Sequence, residues 1–259
     1  MRIALTRDVS PGMQRCELSH LAREPIDLAR ARGQHAAYEQ CLTELGCRVH
    51  RLPSDESMPD AVFIEDTAVV VDELAVVTLP GALSRRPETT AAATALADFR
   101  SVAVIEPPGT LDGGDVLRLG RTLYVGVSAR SNHDGGAQLG RLLAPWGYRV
   151  VPVVTHDCLH LKTAVTEAAP GVLVLNPRWV DRAVFGTVDI LEVDPTEPFA
   201  GNVLQVGGAT ISAAAFPRTI RRLEAAGVEV RPVDMSEFAK AEGGVTCCSI
   251  IYEVEEPPR

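Results

Sequence analysis

The chain has 259 residues, is 46% hydrophobic and carries a formal charge of −9, the balance of a globular protein long enough to bury a substantial core as one large domain or two small ones. Its acidity argues against a nucleic-acid partner, which needs a basic surface, and suits a cationic small molecule. The start, Met1-Arg2-Ile3-Ala4-Leu5-Thr6-Arg7-Asp8, lacks the apolar run of a signal peptide, and no stretch approaches the roughly 18 apolar residues of a membrane span, so a cytoplasmic protein without a membrane partner is expected.

In chain order, MRIALTR reads as a strand and the segment around 34–45 as a helix. Next, EDTAVVVDELAVVTLPGALSRRPETTAAATALADFRSVAVIEP reads as a strand, an Asp72-Glu73 turn, a second strand, a Pro-Gly bend, an alanine-rich helix and a third strand. GGDVLRLGRTLYVGVSARSNHDGGAQLGRLLAPWGYRVVPV repeats the pattern, with a Gly120-Arg121 turn and a helix near 136–144. LKTAVTEAAPGVLVLNPRWVDRAVFGTVDILEV is a shorter copy, and GNVLQVGGATISAAAFPRTIRRLEAAGVEVRPV another, with a Gly207-Gly208 turn, a helix after Pro217 and a stop at Gly227. A fifth copy is completed only by joining GGVTCCSIIYEV at the C-terminus to MRIALTR and the first helix. Units spaced by roughly 40–48 residues mark a repeat architecture, and here they predict one domain, 1–259, whose ring is closed by both termini.

If each unit starts its first strand at a central axis, those starts converge: Glu65-Asp66, Asp112-Gly113-Gly114-Asp115, His160-Leu161-Lys162, Asn202 and Thr246-Cys247. Carboxylates, a histidine and a thiol from distant parts of the chain then share one polar site.

Six cysteines, at 16, 41, 47, 158, 247 and 248, follow no paired spacing and read as free thiols, and the absence of CxxC excludes a zinc ribbon. Cys247 and Cys248 are too close for an ordinary disulfide, and on a strand they point to opposite faces. Cys247, nearer the glycine pair, is the candidate nucleophile, and Cys248 a packing residue. His160 is the candidate acid/base, with a core or surface histidine as the plain alternative. His156 and His160 also have the HxxxH spacing of metal ligands, with Cys158 beside them, but the Val-rich approach reads as strand and loop and no HExxH glutamate is present.

Glu65 and Asp66 stand inside an apolar run, where an unpaired charge is costly. Either they sit at a turn or, with Asp60 and Asp112, they hold a planar guanidinium. Arg85 and Arg130 each follow a strand end and suit the opposite, carboxylate end of such a ligand, or are solvated loop arginines, as Arg86 is taken to be. LDGGDV lacks the Lys-Ser or Lys-Thr of a phosphate loop.

The motifs FIEDTAVV, PGALSRRPE, LDGGDVL, VGVSARSN, LHLK, GNVL and GGVTCCS, in this order and spacing over nearly the whole chain, resemble the dimethylarginine dimethylaminohydrolases of the guanidine-modifying (pentein) superfamily. The resemblance implies an α/β fold, a five-bladed propeller of ββαβ units with pseudo-fivefold symmetry. It implies Cys247 as nucleophile, His160 as general acid/base and Asp112 as the residue orienting it. Guanidinium binding falls on Asp66 with Glu65 and Asp60, carboxylate binding on Arg85 and Arg130, a backbone contact to the amino-acid end on Ala241, and a lid leucine on Leu18.

The implied reaction converts N-omega-methylated arginine to citrulline and a methylamine through a thiouronium on cysteine, with no metal or organic cofactor. The implied partner is a small guanidino amino acid, with the choice between monomer and homodimer open. An arginine deiminase of this superfamily carries an additional helical domain for which 259 residues leave no room, and length also disfavours an amidinotransferase. A non-catalytic binding module of the same fold lacks the Cys, His and acidic set.

Overall fold

The computed structural model describes residues 1–254. Among them, fifteen strands form five three-stranded sheets, and every sheet is built alike. The first strand runs antiparallel to the second, and the second parallel to the third: Ala68–Val70, Leu74–Val77 and Ser101–Val104 make one blade, and Val116–Leu119, Thr122–Val127 and Arg149–Val154 the next. Val165–Ala169, Val172–Leu175 and Asp189–Glu192 make another, followed by Val203–Val206, Ala209–Ala213 and Val230–Val233. In the last, Ile250–Glu253 pairs antiparallel with Arg2–Arg7, which pairs parallel with Cys47–Leu52. This is the pentein propeller, and the ring is closed by both ends of the chain.

Four of the antiparallel pairs, all but the one made by the chain ends, are joined by a tight turn, and Gly120 and Gly207 supply the positive φ (57° and 61°) that two of those turns need. Each parallel pair needs a crossover. Four are helical: Leu28–Glu44, Thr89–Ala97, His133–Leu143 and Pro217–Ala225. The first starts where Asp27 accepts the N–H groups of Ala29 and Arg30, and the third where Asn132 accepts that of Gly135. These caps move both starts N-terminal of the predicted 34–45 and 136–144. The short copy crosses through a single 3₁₀ turn, Arg182–Phe185. Ile3, Leu5, Leu52, Ile64, Leu96, Ile250 and Tyr252 are buried together across the closing seam, and each aliphatic side chain so buried contributes about 1.5–3 kcal/mol.

A cavity of about 390 Å³ marks the axis on one face, with Val69, Leu117, Thr166, Leu204 and Ile251, one from the first strand of each blade, in its wall. The predicted chemistry lies on the other face. Among the described residues no helix is long and apolar enough to cross a membrane.

Candidate active site

The two faces are separated by a hydrogen-bonded plug. Lys162 Nζ lies 2.6 Å from Glu65 Oε1, Thr246 Oγ1 donates to Glu65 Oε2 at 2.7 Å, and Asn202 Nδ2 donates to the Lys162 carbonyl and to Thr246 Oγ1. Glu65 therefore turns away from the position expected for it at a guanidinium. It lines the axial cavity, tied to Lys162, and not the polar cavity on the opposite side.

That polar cavity gathers Asp60, Asp66, Arg85, Arg130, His160, Ala241 and Cys247, with Glu17 and Glu242 at its wall. Three blades and the loop before the closing strand contribute. The sequence folds this way locally because glycine leaves room. A Cβ on Gly114 would lie 2.7 Å from His160 Nδ1 and 2.8 Å from Asp66 Oδ1, one on Gly243 would run into the Phe63 ring, and one on Gly244 into the Asn202 amide.

Cys247 and Cys248 do not sit on the strand, which begins at Ile250; they lie in the turn before it. Their different surroundings arise from that turn and not from strand alternation. Cys248 is fully buried in the core with Tyr38, Phe238 and Val245, while Cys247 faces the cavity and accepts the Gly244 N–H at 3.4 Å. Burial, then the carboxylates of Glu65 and Asp66, push the Cys247 thiol up to about 12.

His160 stands at the N-cap position of the one-turn helix Leu161–Ala164. Its Nε2 is 3.0 Å from Asp112 Oδ2, and its Nδ1 is 3.9 Å from Asp66 Oδ1. Burial opposes the charged ring, but Asp66, Asp115 and Asp112 outweigh it and lift His160 to about 9. Asp66 is the mirror image: burial would raise it, yet His160, Arg85 and the Gly114 N–H hold it at about 2. Asp112 is fully buried and also accepts the Gly81 N–H at 2.9 Å. Asp66, Asp112 and His160 bring three potential ligand atoms within 4.8 Å of one another; each is already engaged, Asp66 by Arg85 and Gly114, Asp112 and His160 by one another.

The arginines differ. Arg85 is buried and donates through Nε and Nη2 to Glu88, through Nη2 to the Phe63 carbonyl, and through Nη1 to Asp66 at 2.5 Å, so one N–H of Nη1 is left to face a ligand. Arg130 lies nearer the surface, 3.9 Å from Asp112 and donating to Ser19 Oγ at 3.1 Å. Asp60 accepts the Glu17 N–H on both oxygens, at 3.1 and 3.2 Å. Leu18 is half-buried against the core and is not among the cavity-lining residues; its neighbours Glu17 and Ser19 make the contacts.

Sequence reasoning assigned no role to Asp115, although it stands in LDGGD. Its Oδ1 accepts the Leu161 N–H at 2.9 Å and its Oδ2 the Ser128 hydroxyl at 2.7 Å, which fixes the backbone beside His160. Glu88, which orients Arg85, carries no motif signal beyond its place in SRRPE.

The charge set predicts how stability depends on pH. His160 is raised above its ordinary 6.5, so its contribution is complete below that pH and is lost as pH rises through about 9. Asp66 is depressed from 3.8, so its contribution is complete above that pH and is lost as pH falls toward about 2. The thermal midpoint is expected to decline from near pH 6.5 to 9 in the parent chain and to decline less in His160→Gln. Parallel slopes in the two proteins would contradict the assignment.

No protein-family model matches the chain. It is 40% identical over 249 residues to N(G),N(G)-dimethylarginine dimethylaminohydrolase of Streptomyces coelicolor, covering 95% of both chains. It is 36% identical over 236 residues to the Pseudomonas aeruginosa enzyme of the same name, covering 90% of this chain and 92% of that one. A solved cysteine-to-serine mutant of the Pseudomonas aeruginosa protein, complexed with citrulline, matches with a TM-score of 0.92 at 32% identity, covering 96% and 98% of the two chains. A histidine-to-glycine dimethylarginine dimethylaminohydrolase, solved as an adduct with S-methyl-L-thiocitrulline, matches with a TM-score of 0.92 at 33% identity, covering 97% of this chain and 100% of its own. The N-terminal domain of a cyanobacterial arginine dihydrolase, at 22% identity and a TM-score of 0.87 over 96% and 97%, shares the fold.

Proposed function

The chain belongs to the dimethylarginine dimethylaminohydrolase family, and from that premise we propose which residue performs each step. The protein is an amidine hydrolase that converts dimethylarginine to citrulline through a covalent cysteine intermediate. The observation that carries the assignment is the convergence of a thiol, a histidine paired with a carboxylate, two further carboxylates and two arginines on one cavity.

Asp66, with Asp60 in support, takes the substrate's guanidinium, while Arg130 and the spare N–H of Arg85 take the carboxylate. The bound guanidinium offsets the carboxylates that hold the Cys247 thiol up, so deprotonation accompanies binding and the proton passes to solvent. The thiolate forms a bond to the guanidinium carbon. His160, protonated at neutral pH because its value is about 9, gives its proton to the departing dimethylamine as the C–N bond breaks. Neutral His160 then takes a proton from water as that water attacks the thiouronium, and the C–S bond breaks to leave citrulline. Asp112 orients the ring throughout.

The whole ring acts as one catalytic domain, since the residues come from separate blades. Its six cysteines are all free, which suits a reducing cytoplasmic setting.

The test is release of citrulline and amine from asymmetric dimethylarginine, monomethylarginine and arginine, each supplied alone. Citrulline with dimethylamine from the first is expected. Ammonia from arginine, with no turnover of the methylated compounds, would make the protein a deiminase.

A further inference from the structure

The loop from Glu17 to Pro25 arches over the polar cavity with almost no buried surface of its own: Leu18 is half-buried and every other residue in it is exposed. Apolar packing therefore contributes little to its position, and polar contacts must hold it. The densest of these lies at its tip. Three successive backbone N–H groups converge on the Glu242 carboxylate: Ser19 at 3.0 Å to each oxygen, His20 at 2.6 Å and Leu21 at 2.7 Å to Oε1. Successive N–H groups form a concave anion site, and here a side chain of the same chain fills it.

Two further features mark Glu242 as more than a surface residue. Its φ is +58°, a left-handed conformation that glycine adopts freely and glutamate does not, so a residue with the wrong backbone preference stands where the next two positions are glycines. It also lines both the polar cavity and a neighbouring, largely apolar cavity of about 260 Å³, which share Cys247. The polar cavity measures only about 20 Å³, room for about one water, so with the loop in this position it is too small for an amino-acid substrate.

The closed loop also occupies the groups that a substrate would use. The Glu17 N–H sits on Asp60 and the Ser19 hydroxyl on Arg130.

We propose that Glu242 is a positioning residue that latches this loop over the site, so that its carboxylate sets the equilibrium between a closed form and one that admits substrate. The proposal rests on the reaction assigned above for its kinetic consequence but not for its structural one. The contact to Glu242 opens to admit substrate, which then displaces the contacts on Asp60 and Arg130.

Glu242→Gly is the sharpest variant, since it deletes the carboxylate and relaxes the left-handed backbone. Amide hydrogen exchange at Ser19, His20 and Leu21 is expected to accelerate about tenfold or more, with the core strands unaffected. Because the latched form competes with substrate, KM is expected to fall about threefold or more, with kcat changing less than about threefold. Glu242→Gln, which keeps an acceptor of the same length, should recover part of both effects. Unchanged exchange at the three amides in Glu242→Gly would overturn the latch, as would a fall in kcat with KM constant. The exchange measurement needs no substrate, so it decides the latch even if the parent protein failed to hydrolyse methylarginines, a result that would strike only the reaction.

Discussion

Cys247→Ser is expected to lower turnover of asymmetric dimethylarginine by at least about 10⁴-fold, measured as citrulline release, while Cys248→Ser keeps most of it. A serine hydroxyl is far harder to ionise than a thiol. Among the described residues Cys247 has no hydrogen bond to a base, only the Gly244 N–H on its sulfur. The thiol already stands at about 12 because of burial and two carboxylates, so the bound cation is what makes ionisation feasible near neutral pH, and an alcohol lies beyond its reach. Alkylation gives an independent readout. Neutral iodoacetamide should react slowly at pH 7 and faster as pH climbs, whereas a small cationic haloacetamidine should react well at pH 7.

Cys248 is different: its side chain is enclosed by Tyr38, Phe238 and Val245, so serine there buries a hydroxyl at a cost of about 1–3 kcal/mol and lowers the melting temperature before it lowers kcat. Full activity in Cys247→Ser, or equal losses in the two variants, would remove Cys247 from its role.

His160→Gly should lower turnover by about 10² to 10⁴-fold and yet leave the first bond-forming step possible. The histidine acts twice, protonating the amine and then deprotonating water, and the second role has no substitute among the carboxylates around it, which are engaged by Arg85, Gly114, Gly81 and Leu161. With S-methyl-L-thiocitrulline the departing methanethiol needs less help than an amine. The covalent adduct should therefore form and persist, visible by intact-protein mass spectrometry. In the parent chain, kcat/KM should fall above about pH 9 as the ring loses the proton it donates. Loss of turnover without any adduct would make His160 necessary for the first bond-forming step, against this expectation, and undiminished turnover would remove it altogether.

The repeat was legible in the sequence because turn chemistry and strand periodicity recur at each blade, down to the Gly120 and Gly207 turns. That Asp112 and His160 come together, and that Cys247 lies near them before the closing strand, was also legible from where the strands start. Two matters were not. Glu65 and Asp66 are adjacent and chemically alike, and only the backbone turn Ile64–Thr67 decides that one meets His160 and the other Lys162. Glu242 shows nothing in the sequence, because its role depends on a loop that lies more than two hundred positions away in the chain. Arg85 falls between: its position in SRRPE was readable, but its hold on Asp66 and Glu88 was set by packing that no spacing reveals.

The seam where Ile250–Glu253 meets Arg2–Leu5 also bears on the site. Cys247 is carried just before that seam, while His160, Asp112 and Asp66 are fixed to other blades. If the terminal strands part, the thiol is held beside its acid and its cation-binding carboxylates only by the contacts of Thr246 and Cys247 with Glu65 and Asn202. The join between the chain's two ends therefore lies closer to the thiol than to any other part of the chemistry, and the integrity of the circle and of the site are tied at one place.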